Sequence, residues 1–350
     1  MKLMKIALAG LGVRGKYWAE VITRSNRCEI VAYIDPNPAA CIRMIEQYGA
    51  HPTFSSVESA LASIEDVDAL ILANPPIGRE SQIAAAVSRS IPMLIEKPLA
   101  LDLEESERLV GIAEAANVPL MVGLNFRYLA VTRETRELLK AEIVGTAEFG
   151  RFTYERYRDG NRPDLNKYPL TMDQPMLWEQ SIHHFDLMRF IYGQEPVLIQ
   201  AQTWNPSWSM YESDANVAAI ITFDQGMIVN YQGTWQSGWA EPHFEWRTDC
   251  TAGVISQQHQ FGELFYAKHN DPTLTPVELP PHEMWITETT GLLEAFTDTV
   301  LDGASLECSG RDHLMSLAMV QACAISSREA RSVSIKELLP AEFGHHGHAT

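Results

Sequence analysis

Met4-Lys5-Ile6-Ala7-Leu8-Ala9-Gly10-Leu11-Gly12-Val13-Arg14-Gly15 opens the chain with an apolar run that ends in a G-x-G-x-x-G turn. The first six residues read as a strand. Directly behind a strand, each glycine has a physical reason. Gly10 permits the tight turn, Gly12 lets backbone approach a pyrophosphate without a Cβ in the way, and Gly15 lets the next helix pack close. That helix is expected over 15–25, with its N-terminal amides and positive dipole end facing the phosphates. A second apolar run, Ile30 to Ile34, ends at Asp35, about 20 residues beyond the glycines, where a carboxylate can accept from a ribose 2′-hydroxyl. An isolated glycine turn would carry little weight, and Asp35-Pro36-Asn37-Pro38 also reads as the start of a loop. Strand, turn, helix, strand and acid in that order point to a dinucleotide site.

Outward from this stretch, strand-like runs recur at 69–73, 92–95 and 118–122, with helical patterns at 38–48, 56–63, 79–89 and 102–116. Such alternation predicts a parallel sheet with helices on both faces. Asp102 and Glu105 have the spacing of a capping box at the start of the last of these helices. After residue 123 the pattern changes. Val217, Ala219, Ile221 and Phe223 alternate, Asp224-Gln225-Gly226 turns the chain, and Met227, Val229 and Tyr231 resume the alternation, as in an antiparallel hairpin. Further strands are expected at 147–158, 198–205, 243–248, 253–258 and 262–267, and helices at 288–301 and 311–327. The prediction is an α/β chain of two domains. Residues 1–123 form the dinucleotide-binding domain, and 124–350 form an α+β domain with an open, mainly antiparallel sheet. The helices within 288–327 are candidates to pack back on the first domain. Residues 158–175, rich in Pro, Asn and Asp, read as a long loop near the mouth of a site.

A chain of 350 residues with 46% hydrophobic residues can bury a core in each of two domains. Its net charge of −18 argues against nucleic acid as a partner, because phosphate neutralisation needs clustered Lys and Arg. No apolar stretch reaches the roughly 18 residues a membrane span requires, and Met1 to Lys5 lack the pattern of a signal peptide. Five scattered cysteines without a C-x-x-C pair read as reduced thiols of a cytoplasmic protein, and no metal site is expected. His345, His346 and His348 read as a frayed terminus.

Two clusters can carry chemistry. Glu96-Lys97-Pro98 follows Met93-Leu94-Ile95, at the carboxyl end of a parallel strand, where open α/β sheets bind ligands. An ammonium at Lys97 can stabilise a developing alkoxide; otherwise it is a surface lysine. Glu179, Ser181, His183, His184 and Asp186 lie on a segment, 178–192, that reads as one helix. Glu179 and His183, four apart, would share a face, with Asp186 one turn beyond. Histidine suits proton exchange with an alcohol at neutral pH. Asp186 either orients His183 or caps or bridges elsewhere. His184 points about 100° away from His183 on an undistorted helix. Asn125, Phe126 and Arg127 either line the cofactor pocket or make a hydrogen bond between domains. Trp204, Trp208, Trp235 and Trp239 suit a sugar ring or a sheet interface.

Together these residues resemble the glucose–fructose oxidoreductase, inositol dehydrogenase and rhizopine-catabolism family, Gfo/Idh/MocA. The resemblance rests on the glycine turn, Glu96-Lys97-Pro98, Gly123-Leu124-Asn125-Phe126-Arg127, the His183-x-x-Asp186 helix and the Phe223-Asp224-Gln225-Gly226 hairpin. It implies an N-terminal Rossmann domain and NAD(P)-dependent hydride transfer at a secondary alcohol of a sugar, sugar acid or cyclitol. It also implies homodimers or homotetramers built through the open sheet. By the same resemblance Lys97, His183 and Glu179 are catalytic. Gly10, Gly12, Val13, Arg14, Gly15, Asp35, Asn74, Pro75, Glu96, Lys97 and Asn125 meet the cofactor, and Lys97, Arg127, Glu179, His183 and His184 meet the substrate. The family helix usually reads D-x-G-x-H-x-x-D, so Glu179 and Ser181 depart from it; in a separate segment, Asn74-Pro75-Pro76-Ile77-Gly78-Arg79, Arg79 stands where many relatives carry His. Asp35 favours NAD over NADP, the second option, because its charge would repel a 2′-phosphate. Lys97 and His183 fall on different predicted domains, so the site is expected in the cleft. Rival readings are an NADPH-linked keto-sugar reductase and a non-catalytic NAD(P)-binding regulator.

Overall fold

The computed structural model describes residues 3–163 and 165–339; His345, His346 and His348 lie outside them. The chain divides into two compact units. The first runs to Tyr128 and takes in Glu283–Leu314; the second runs Leu129–His282 and resumes at Met315.

The first unit alternates β1 (Met4–Ala9), α1 (Val13–Arg24), β2 (Cys28–Ile34), α2 (Pro38–Tyr48), β3 (Thr53–Phe54), α3 (Val57–Ser63), β4 (Ala69–Leu72), α4 (Arg79–Val87), β5 (Met93–Glu96), α5 (Leu103–Ala115) and β6 (Leu120–Gly123). All six strands are parallel, in the order β3-β2-β1-β4-β5-β6. The order reverses between β1 and β4, which opens a crevice at their carboxyl ends, the position at which such sheets bind nucleotides. Strands β4, β5 and β6 are buried at every residue, which is why they read as unbroken apolar runs rather than alternating ones. Asp102 caps α5 by accepting from the Glu105 amide at 2.7 Å. The two-residue β3 was not legible, being too short to show a period.

The second unit contains α6 (Ala130–Lys140), β7 (Ala147–Glu155), α7 (Ile182–Tyr192), β8 (Pro196–Trp204), β9 (Asn216–Phe223), β10 (Ile228–Thr234), β11 (His243–Cys250), β12 (Gly253–His259), β13 (Gly262–Lys268) and β14 (Thr275–Pro276). After it in sequence come α8 (Thr287–Asp302), in the first unit, α9 (Gly310–Glu329) and β15 (Val333–Ser334). The nine-stranded sheet runs β14-β13-β12-β11-β7-β10-β9-β8-β15; its β7–β10 pairing is parallel and the rest are antiparallel. Alternation decides its faces. Phe152, Tyr154, Val217, Ile221, Val229 and Tyr231 are buried on the side that receives α7, where the Phe185 and Tyr231 ring centroids lie 4.9 Å apart. The alternate residues of that period, Phe149 on β7, Ile228 on β10, Ile220 on β9 and Leu198 on β8, are exposed within the unit.

One helix differs from expectation. The segment expected as a single α-helix over 178–192 begins with a π turn, Leu177–Ser181, and becomes α-helical only at Ile182. A π turn closes i→i+5 bonds and inserts one residue. The four-residue spacing of Glu179 and His183 therefore does not place them as an unbroken α-helix would. Five residues of π turn leave no periodic signature in a sequence.

Candidate functional site

The glycine turn answers the demands of a dinucleotide. Gly10 sits at φ +86°, and a Cβ on it would lie 2.4 Å from the Asn74 amide nitrogen. On Gly15 a Cβ would lie 2.1 Å from the Gly10 carbonyl oxygen. On Gly12 it would meet nothing within 4 Å: that glycine faces open space, where a pyrophosphate would rest. Gly12 is also the N-cap of α1, which has no side-chain cap and no acid in its first turn. The amides of the helix start are thus left to an anion. Asp35, at the end of β2, accepts from the amides of Leu11 and Asn37, each at 2.8 Å, so its carboxylate is fixed beside the turn. The Asn74 Oδ1 and Asn125 Nδ2 atoms, after β4 and β6, are buried without a hydrogen-bond partner among the described residues. Orphaned amide atoms at the carboxyl edge of the sheet fit a polar ligand there. Val13 and Pro75 are exposed beside them. The residues present therefore fit NAD.

Glu96 was expected on the cofactor but is engaged inward. It is 5% exposed and accepts from Arg14 Nε at 2.9 Å and Trp18 Nε1 at 2.8 Å. Arg14 correspondingly spends its side chain on Glu96. Arg14 and Trp18 stand four apart on α1, a spacing legible in the sequence as one helix face. The network joins the first turn of α1 to the end of β5 and so fixes the backbone that presents the half-buried Lys97. Arg79 does related work that its sequence position did not signal. Fully buried at the start of α4, it donates to the carbonyls of Pro98 (2.5 Å), Leu99 (2.9 Å) and Asn74 (3.0 Å). It thereby ties the loop after Lys97 to the loop after β4. Arg127, expected on the substrate, has a side chain 0% exposed and is paired with Asp312 and the Glu307 carbonyl. Burial leaves its guanidinium no surface for a ligand.

In the second unit, Glu179 accepts from the Tyr168 hydroxyl at 2.6 Å, a partner the sequence did not suggest. His183 is 7% exposed on the first turn of α7. Asp186 accepts from Ser316 at 3.2 Å, and the same hydroxyl accepts from Arg189, which also grips Glu195. The Asp186 carboxylate is thus part of a buried network with Ser316 and Arg189. His184, expected among the substrate contacts, is a core residue. It is 1% exposed, stacked near Phe152 and Tyr154, with Nε2 3.0 Å from Gln180 Nε2 and Nδ1 2.9 Å from Tyr231 Oη. The Gln180 amide donates, so His184 donates from Nδ1 to Tyr231, which donates in turn to Ser181 at 2.8 Å. Burial lowers its pKa from 6.5 to about 3, so the ring is neutral. Among the described residues no group of His, Cys, Asp and Glu could hold a metal ion, and no helix is long and apolar enough to cross a membrane.

Comparison with known proteins agrees with this geometry. Residues 4–124 match the model of the oxidoreductase family with an NAD-binding Rossmann fold, and residues 132–256 match the GFO/IDH/MocA C-terminal domain. D-apiose dehydrogenase of Paraburkholderia graminis is 25% identical over 349 residues, covering 97% of this chain and 91% of that one. Inositol 2-dehydrogenase of Rhizobium meliloti is 24% identical over 345 residues, covering 95% and 99%. An oxidoreductase of Agrobacterium radiobacter, solved with NAD+, L-tartaric acid and magnesium, superimposes with a TM-score of 0.86 at 21% identity, covering 96% of this chain and 99% of that one.

Proposed function

The chain belongs to the GFO/IDH/MocA oxidoreductase family, with its NAD-binding Rossmann fold, and on that premise we propose that it is an NAD-dependent dehydrogenase of a secondary alcohol on a sugar, sugar derivative or cyclitol. The observation that carries the reading is the bond network from Arg14 and Trp18 to Glu96, which anchors Lys97 to the glycine turn. NAD, when bound, supplies the hydride acceptor. Lys97 holds the substrate hydroxyl and stabilises the oxygen as it becomes negative. His183 takes the hydroxyl proton. Glu179, held by Tyr168, keeps the charge of the shorter family aspartate and serves orientation. Asp35 selects NAD by accepting from the ribose and repelling a 2′-phosphate. The relatives named for apiose and inositol support a sugar or cyclitol as substrate class.

The test is a panel of sugars, sugar acids and cyclitols with NAD and NADP. Turnover is expected with NAD, reduced about a hundredfold or more in Lys97→Ala and in His183→Ala at saturating cofactor. Turnover that survives both substitutions would refute the assignment, and tighter NADP binding would refute the role of Asp35.

The reading extends to a homodimer or homotetramer. Phe149, Leu198, Ile220 and Ile228 form an exposed apolar band on the face of the second sheet away from α7, and a band of that kind is usually covered. Light scattering should give a multiple of 39.2 kDa, and a monomer would remove this part. Five buried cysteines, none in a disulfide, suit the cytoplasm.

A further inference from the structure

The second unit holds two arginines that its ion-pair pattern does not explain. Acids outnumber bases, 45 to 27, and most arginines here meet a carboxylate, as Arg151 meets Glu245, Arg189 meets Glu195 and Arg247 meets Asp249. Arg156 and Arg158 are half-buried, and among the described residues neither has a carboxylate within ion-pair distance. They follow β7 on an extended segment: the Arg156 amide donates to the Thr234 carbonyl at 3.1 Å and the Arg158 amide to the Trp235 carbonyl at 2.8 Å. Arg156 reaches the hydroxyl of Tyr154, which with Phe152 packs on His184 of α7.

Both guanidiniums are held in place. Arg156 donates to the Tyr154 hydroxyl at 3.3 Å. Arg158 lies 4.1 Å from the centre of the Trp235 ring and donates to the Tyr211 hydroxyl at 3.0 Å. Arginine stacked on an aromatic face keeps most of its N–H fork for another acceptor, and its order is already established before that acceptor arrives. A second observation points the same way. The Trp235 indole N–H, on a residue 2% exposed, has no acceptor among the described residues. Asp159, next along the chain, accepts the Asn161 amide on one carboxylate oxygen at 2.9 Å.

We infer that Arg156 and Arg158, with the Trp235 N–H, form the oxyanion-binding end of the substrate site, so that the preferred substrate is an anionic sugar derivative, a sugar acid or sugar phosphate, and not a neutral sugar. The inference rests on the dehydrogenase reading above and adds its substrate class. A carboxylate or phosphate matches the planar donor fork of arginine and supplies the negative charge that two half-buried guanidiniums lack, whereas a neutral hydroxyl supplies neither.

The test is calorimetric titration of the NAD-loaded enzyme with D-gluconate, D-galacturonate and D-glucose 6-phosphate against D-glucose, D-galactose and myo-inositol. At least one anion should bind about ten- to a hundredfold more tightly than its neutral counterpart. Arg156→Met and Arg158→Met should each erase most of that preference without changing NAD affinity. Arg158→Lys should restore part of it, since the charge returns without the fork. Should the Arg158 variants fail to fold, Arg156→Met carries the test, because among the described residues Arg156 is stacked on no aromatic ring. The phosphate arm separates sugar phosphate from sugar acid. Equal binding of neutral and anionic sugars, binding of neither, or a preference that survives both methionine substitutions would overturn the inference. Turnover of neutral sugars that depends on Lys97 and His183 would leave the dehydrogenase reading standing while removing this one; failure to bind NAD would remove that reading itself.

Discussion

The two units offer the proposed function different material. In the first, the turn after β1 is backbone: a left-handed Gly10, a Gly15 pressed against the Gly10 carbonyl, and a Gly12 facing open space. In the second, Glu179, Tyr168, Arg156 and Arg158 are side chains carried by a π turn, a short 3-10 turn and a strand extension. A backbone surface is specified by a few residues in a row, because only glycine meets its steric terms. A side-chain surface is specified by packing, and its members can be exchanged while the scaffold stays. The first unit accordingly suits a constant ligand and the second a variable one.

The sharpest way to break this contrast is to put a Cβ where the backbone surface has no room. Gly15→Ala drives a methyl to 2.1 Å from the Gly10 carbonyl, on backbone that cannot step aside. It should destabilise the first unit by about 3 kcal/mol, the upper end of overpacking costs. Urea unfolding followed by circular dichroism would register the loss, and an unchanged midpoint would show that the turn is looser than described.

A comparable probe of the side-chain region is acid. His184 is neutral in the fold down to about pH 3 but titrates near 6.5 when unfolded. Below 6.5 the unfolded chain therefore binds a proton that the folded chain refuses, and stability falls as pH falls. The slope from this group is about 1.4 kcal/mol per pH unit through that window and vanishes above it. His184→Asn should be less stable at neutral pH, through lost packing, yet show a shallower decline between pH 6 and 4 (roughly the middle of that window). Parallel declines of the two proteins would mean that His184 is hydrated and not a core residue.

Legibility followed the same division. The β-α alternation of the first unit, the hairpin at Asp224-Gln225-Gly226 and the Asp102 cap were all written locally, in apolar period or in a turn or cap residue. Lys97 could be singled out because a strand end is a local feature. The side-chain partnerships were not local. Glu96 with Arg14, Arg79 with the Pro98 and Leu99 carbonyls, and Tyr168 with Glu179 each join positions that only the tertiary fold brings together. The substrate contact expected of Arg127 rests on resemblance alone; the arginine's partner Asp312, on another helix, is not adjacent in sequence and left no local sign. The π turn before α7 likewise changes how Glu179 stands relative to His183, a relation that an unbroken helical spacing would have fixed.

The most direct test of the central claim is a fluorescence titration of NADH into Gly12→Ala beside the wild type. Gly12 lies at a negative φ of −79°, outside the left-handed region, and its Cβ would touch no protein atom within 4 Å. The substitution should leave the thermal midpoint where it is and weaken NADH about tenfold or more, because the methyl stands where the pyrophosphate must approach the helix amides. Wild-type affinity in a fully folded Gly12→Ala protein would contradict the account at its root, for the turn would then bind no dinucleotide.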